Sequence, residues 1–283
     1  MLLAAGLALS LAVALPTGKS MVPMTFGDTT LEVYAYKPPT FKGERLIFVF
    51  HGTLRNADEY RDHAVAMADR FNAIVVCPKF DAERFPSIRY QRGGVVKPDG
   101  SAAKPDEWTY AYIPRIAEQI RKMERNPGLP YTCIGHSAGG QFVVRMAAFM
   151  NPGAERLVAA NPGSALFPTR EKPFGYGYGS LPAELSNDGV IKAYLARPLT
   201  IYLGLLDNAP DEYFDDSEEA MKQGGSRLER GVNVFKYARD LAQARGWDFN
   251  WRIEFAPGVE HDHEKMFNHP ACERAMFGLG GLR

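Results

Sequence analysis

The stretch "CIGHSAGGQ", running from Cys133 to Gln141, places a serine two residues after one glycine and two before another. Upstream, "YTCIG" (131 to 135) is a short β-branched and apolar run, and the residues from Ala138 onward are helix formers. Ser137 therefore falls on a tight turn from strand to helix. Such a turn strains the backbone, and Gly135, Gly139 and Gly140 let it pass close to neighbouring elements. The hydroxyl then stands at the C-terminal edge of a sheet, where open α/β folds bind their ligands. The competing reading is a glycine turn carrying an incidental serine, and the surroundings decide between the two.

Outward from this turn, apolar runs recur as "LEVYAY" (31 to 36), "RLIFVF" (45 to 50), "AIVVC" (73 to 77), "RLVAA" (156 to 160), "LTIYLGL" (199 to 205) and "WRIEFA" (251 to 256). Their length and composition predict strands. Between them lie helical stripes: Tyr60, Ala64, Met67, Ala68 and Phe71; Ile113, Ile116, Ile120 and Met123; Leu228, Val232 and Phe235. Strands alternating with amphipathic helices predict an α/β three-layer sandwich with a mostly parallel sheet, and the strands before Arg45 predict an antiparallel edge.

A serine hydroxyl is a weak nucleophile until a base takes its proton, and the base needs a carboxylate to fix its tautomer. "FAPGVEHDHEKMF" supplies His261 just past the last predicted strand, with His263 as competitor. "LTIYLGLLDNAPDEYF" supplies Asp207 at another strand end, with Asp211 and Asp215 as fallback acids in a solvated loop. Each member of Ser137, Asp207, His261 thus follows a separate strand. Charge developing on the substrate oxygen needs preorganised donors. "FVFHGTLRNADEY" gives a third strand end, where Gly52 turns the chain inward, so the backbone N–H groups of Thr53 and Ala138 are the expected oxyanion donors.

With these segments in hand, the sequence resembles the α/β-hydrolase-fold serine hydrolases, near the esterases and polyester depolymerase-like members. "FHGTLRNADEYR", "GHSAGG", "GLLDN" and "PGVEHD" match the oxyanion, nucleophile, acid and base segments, and the resemblance runs from about Leu31 to the C-terminus. It implies an acyl-enzyme on Ser137 and hydrolysis of carboxylic esters, small or oligomeric. A serine peptidase or amidase using the same triad is the alternative, with a noncatalytic binding protein on the scaffold third. "HGTL" lacks the longer glycine run of the hormone-sensitive-lipase-like group, so that group's broad oxyanion loop is not implied.

The chain has 283 residues, 46% of them hydrophobic, enough for one large core, and a single hydrolase domain over 20–283 is expected. Its 33 basic and 33 acidic residues cancel, which excludes a global field for nucleic acid. The apolar run "MLLAAGLALSLAVALPTG" ends in Ala12, Val13 and Ala14, so residues 1–14 read as a signal peptide, giving an exported, periplasmic or secreted protein with no stable membrane span after processing. The run carries no Lys or Arg before its apolar stretch, and an N-terminal anchor or a mis-assigned start are the other readings. Three cysteines cannot all pair within one molecule, and Cys77 and Cys133 sit in buried-strand runs.

Loop insertions are expected near 78–107 and 161–189. The second holds Phe167, Phe174 and Tyr176, expected to form a substrate wall; the alternative is packing on the core, which is expected of Trp108 and Tyr112. No cofactor and no metal are expected: "HDHE" with His269 lacks a helical His-x-x-x-His pair, and the acids from Asp207 to Glu219 read as a solvated face rather than a calcium loop.

Overall fold

The seven apolar runs, that of the serine turn included, all form strands, and an eighth precedes them. A computed structural model describes residues 14–278, so the leader expected over 1–14 lies, but for Ala14, outside the described residues. The strands are β1 (Gly18–Phe26), β2 (Thr29–Lys37), β3 (Arg45–Phe50), β4 (Ala73–Pro78), β5 (Tyr131–His136), β6 (Arg156–Ala160), β7 (Leu199–Gly204) and β8 (Arg252–Ala256). They make one sheet in the order β1-β2-β4-β3-β5-β6-β7-β8. β1 and β2 pair antiparallel, with Phe26 opposite Thr29 across a Gly27-Asp28 turn, and β2 pairs antiparallel with β4. Every other pairing is parallel. β1 has alternating exposure and a Pro at position 23, both features of an edge strand and both weak as sequence signals.

The helices are α1 (Ala57–His63), α2 (Val65–Phe71), α3 (Tyr112–Met123), α4 (Ala138–Phe149), α5 (Ala183–Ser186), α6 (Asp188–Leu195), α7 (Glu218–Met221), α8 (Arg227–Arg245), α9 (His263–Asn268) and α10 (Ala271–Phe277). On one face Ile47, Val49, Val75, Ile134 and Val158 pack with Tyr60, Met67, Phe71, Phe267 and Met276. On the other, Phe48, Phe50, Cys133 and Leu157 pack with Ile116, Phe142, Val143, Leu195 and Val234. Successive residues of β3 and β5 alternate between these two cores, as the two-residue period of a strand requires. The result is a three-layer α/β sandwich.

The stripe from Tyr60 to Phe71 is split at Ala64, whose backbone (φ −90°, ψ 0°) separates α1 from α2. The stripe read on α8 is shifted: Val232 is 36% exposed, and the buried side runs through Arg227, Arg230, Val234, Phe235 and Ala238. Buried arginines at its start conceal the face from any apolar periodicity. Between β4 and α3, residues 79–104 hold neither helix nor strand and are fixed by buried Phe80, Phe85, Tyr90 and Val95. The second irregular stretch becomes helical from Ala183. All three cysteines, Cys77, Cys133 and Cys272, are unpaired and buried.

Candidate active site

Ser137 links β5 to α4 with φ 57° and ψ −117°, in the left-handed half of backbone space that a non-glycine residue occupies only under constraint. Its N–H donates to the Ala160 carbonyl of β6 at 3.1 Å, and its carbonyl accepts from the Gln141 N–H at 3.0 Å. Close packing holds the turn: a Cβ added at Gly139 would lie 2.1 Å from the Phe50 carbonyl oxygen of β3. A Cβ at Gly52 would lie 2.6 Å from the Tyr60 hydroxyl and 3.9 Å from the Ser137 Cβ, so the turn after β3 abuts the serine. Thr53 and Ser137 line one cavity of about 190 Å³, together with Leu54, Tyr60, Tyr213 and His261. Ala138, the first residue of α4, directly follows the serine.

Asp207 and His261 meet across the ends of β7 and β8. His261 Nδ1 lies 2.7 Å from Asp207 Oδ2. A carboxylate oxygen accepts, so Nδ1 carries the proton and Nε2 is left as the basic atom. The two loops are zipped together by backbone bonds from Leu205 to Ala256 and from Leu206 to Val259. Buried Asn161 (φ 40°) accepts from the Gly204 N–H at 2.7 Å and donates to the Glu260 carbonyl at 3.0 Å, tying the end of β7 to the loop that carries His261.

The competitors are occupied elsewhere. Asp211 accepts two bonds of 2.7 Å from Arg227, which hold its carboxyl below the usual carboxylate range. Asp215 accepts from the Tyr176 hydroxyl at 3.1 Å. His263 stacks on Tyr60 with ring centroids 3.9 Å apart, and burial pushes its imidazole down to about 4. His269 Nδ1 accepts from the Ala271 N–H at 3.0 Å, so the "HDHE" histidines and His269 do not converge.

Several residues around the site carry no sequence signal. Arg227, 1% exposed, donates to Asp207 Oδ1 at 3.3 Å and so occupies the oxygen that His261 leaves free. His136, adjacent to the serine, lies buried with its ring centroid 4.4 Å from that of His261, and burial holds its imidazole well below its ordinary value. His51 is buried at the end of β3; its Nε2 accepts from the Phe80 N–H at 3.0 Å, and burial pushes it down to about 3. Both rings are therefore neutral at working pH, and His136 lines the cavity beside Ser137. Only the first-turn position of Arg227 in α8 and the strand-end position of Asn161, read together with Asp207, would have marked them in advance.

The three aromatics of the expected substrate wall are not brought to this cavity. Phe167 is 5% exposed and packs edge-on against Tyr237 of α8. Phe174 packs on Phe149 at the far end of α4 and lines a separate cavity with Ile88 and Val96. Tyr176 turns its hydroxyl to Asp215 and Ser217. Phe167 is drawn inward because its loop is pinned: its N–H bonds the Tyr176 carbonyl, and the next bond runs from Tyr178 to Thr169. Trp108 is buried and Tyr112 half-buried in the core, as expected.

No protein-family model and no curated protein matches the sequence. Solved structures do. A poly(aspartic acid) hydrolase from Sphingomonas sp. KT-1 is 33% identical, with 89% of this chain and 96% of that one covered and a TM-score of 0.83. A poly(3-hydroxybutyrate) depolymerase from Bordetella parapertussis is 30% identical, with 91% and 90% covered and a TM-score of 0.84. A siderophore hydrolase from Aspergillus nidulans, 17% identical over 96% and 98% of the two chains with a TM-score of 0.54, shares the fold. The chain belongs to the α/β-hydrolase-fold serine hydrolases of the esterase and polyester depolymerase-like kind. It is a serine hydrolase of esterase type.

Proposed function

We propose that this enzyme cleaves carboxylic esters, small or oligomeric, through an acyl-enzyme on Ser137. The observation that carries the reading is the 2.7 Å bond from His261 Nδ1 to Asp207 beside the cavity that His261 shares with Ser137. In this reading Ser137 Oγ attacks the ester carbonyl and its proton passes to His261 Nε2. Asp207 stabilises the resulting imidazolium, and the N–H groups of Thr53 and Ala138 receive the oxyanion. As the tetrahedral adduct collapses, His261 returns the proton to the leaving alkoxide. Water, deprotonated by the same imidazole, then releases the acid and frees the serine.

Leu54, Tyr60 and Tyr213 replace the second-loop aromatics as the wall of choice, because they line the cavity that Ser137 borders. A larger cleft of about 750 Å³ shares His261 and His263 with that cavity and is lined by Asp207, Asp211, Glu260, Asp262 and Glu264. This acidic rim disfavours polyanionic chains and supports a neutral ester. The poly(aspartic acid) hydrolase relative favours a second reading, an amidase with the same triad, since that polymer is amide-linked.

We place the hydrolase domain over 20–283, with loop insertions near 78–107 and 161–189, and read the protein as exported after loss of residues 1–14. Among the described residues no helix is long and apolar enough to cross a membrane. A panel of p-nitrophenyl esters and p-nitroanilides, run beside an active-site fluorophosphonate probe, tests the whole reading. Ester turnover with Ser137 labelled is the expected result. Turnover of anilides alone would establish the amidase, and the absence of both turnover and label would end the hydrolase reading of this site.

A further inference from the structure

Beside the triad, but not part of it, two histidines from distant segments point ring nitrogens at one another. His63 Nδ1, at the end of α1, lies 2.8 Å from His263 Nε2, at the start of α9. Glu59, one helical turn before His63 and on the same side of α1, completes a triangle: its Oε1 is 4.0 Å from His63 Nδ1 and 3.9 Å from His263 Nε2. Tetrahedral zinc with ligands at about 2.0–2.1 Å separates ligand atoms by about 3.3 Å. The observed edges bracket that value, so shifts of a few tenths of an ångström in side chains would close the set around one ion.

The surroundings are those of a metal-binding histidine. Asn56 Nδ2 donates to Glu59 Oε2 at 2.7 Å, which leaves Oε1 for the imidazoles. The outer nitrogen of His63, Nε2, lies 3.7 Å from Glu264 Oε2, outside hydrogen-bond reach but on the side from which a carboxylate, moved closer, would orient a metal-bound imidazole. Stacking on Tyr60 fixes the ring of His263. His63 and His263 both border the large cleft, which gives an ion entry and room for a water as fourth ligand. Two imidazoles and one carboxylate select zinc or a similar divalent transition metal over calcium or magnesium.

We propose that Glu59, His63 and His263 form a divalent transition-metal site that clamps α1 to α9 beside the base loop. The ion supplies no step of hydrolysis; it joins the helix that carries Tyr60 to the segment that follows His261. The full chain, stripped with a chelator, is titrated with zinc chloride against a chromophoric competitor, and its melting temperature is followed with and without zinc. One zinc per chain is expected, together with a rise of several degrees in the melt. His63→Ala and Glu59→Gln should bind at least about tenfold more weakly and lose that rise.

Zinc-free melts of both variants check their folding, and His63→Asn stands in should His63→Ala not fold. Cobalt gives an independent reading, as visible absorption of tetrahedral intensity in the wild type that is absent from the His63 variant. If wild type takes up no zinc, or if the His63 variants bind it as tightly as wild type, for instance at His261, the proposal is overturned and the 2.8 Å contact is a histidine–histidine hydrogen bond.

Discussion

Arg227 is the side chain on which Asp207, the proposed acid, depends. A buried carboxylate without its cation is costly, and removing one partner of a buried pair destabilises by about 3–5 kcal/mol. Here Asp207 is 3% exposed and receives Arg227 on one oxygen and His261 on the other. Arg227→Met is expected to lower kcat by about ten- to a hundredfold with little change in KM, because the binding wall is untouched while the base loses its fixed acid. Steady-state kinetics on a p-nitrophenyl ester, with a thermal melt, check this; an unchanged kcat alongside a lowered melt would make Arg227 a purely structural residue. For the proposed triad, Ser137→Ala, Asp207→Asn and His261→Ala should each cost about 10⁴ or more in turnover without adding, as expected of residues that act as one unit. Activity of Ser137→Ala within tenfold of wild type would dispose of the nucleophile assignment.

At the level of elements, the turn between β5 and α4 works because α4 sits against the ends of β3 and β6 with no side chain between. Gly139→Ala would drive a methyl into the Phe50 carbonyl, 2.1 Å away, and force α4 outward with the Ala138 N–H. A loss of about 3 kcal/mol in denaturant unfolding is expected, with a fall in kcat larger than the stability loss explains. This turn was legible in sequence because strand, glycines and helix each signal locally. The antiparallel edge and the strand ends bearing Asp207 and His261 were legible for the same reason. What stayed hidden depends on contacts between distant segments. Asn161 looks like a loop residue until β7 and the loop of His261 arrive on either side of it, and nothing beside Arg227 in sequence marks its burial against Asp207. His63 and His263 stand 200 positions apart, so no local pattern joins them. The setting of the second-loop aromatics stayed hidden on the same count: the sequence there predicts a loop insertion, but not which way Phe167 would face.

Burial lowers four imidazoles across the molecule: His51 to about 3, His263 to about 4, His136 well below the ordinary value of 6.5 and His269 below it. Their folded values lie below their unfolded ones, so the unfolded chain takes up protons first as the medium is acidified. Stability from these groups is whole above pH 6.5 and is lost as pH falls from there toward the folded values. The free energy of unfolding should therefore drop between pH 6.5 and 4.5, before most carboxylates titrate. His51→Gln, which keeps an acceptor for the Phe80 N–H, should lessen that slope by up to about 1.4 kcal/mol per pH unit. Equal slopes in variant and wild type would show that His51 does not contribute. The cysteines carry a different consequence. Burial raises the thiols of Cys77 and Cys133 far above their ordinary value and that of Cys272 to about 12, so none offers a thiolate to solvent while the chain is folded. The fold therefore asks nothing of the redox poise around it and survives in oxidising or reducing surroundings alike. Its thiols become a clock: with Ellman's reagent in excess, the labelling rate of the native protein should equal its rate of opening, and every further bond that slows that opening can be read from the same yellow trace.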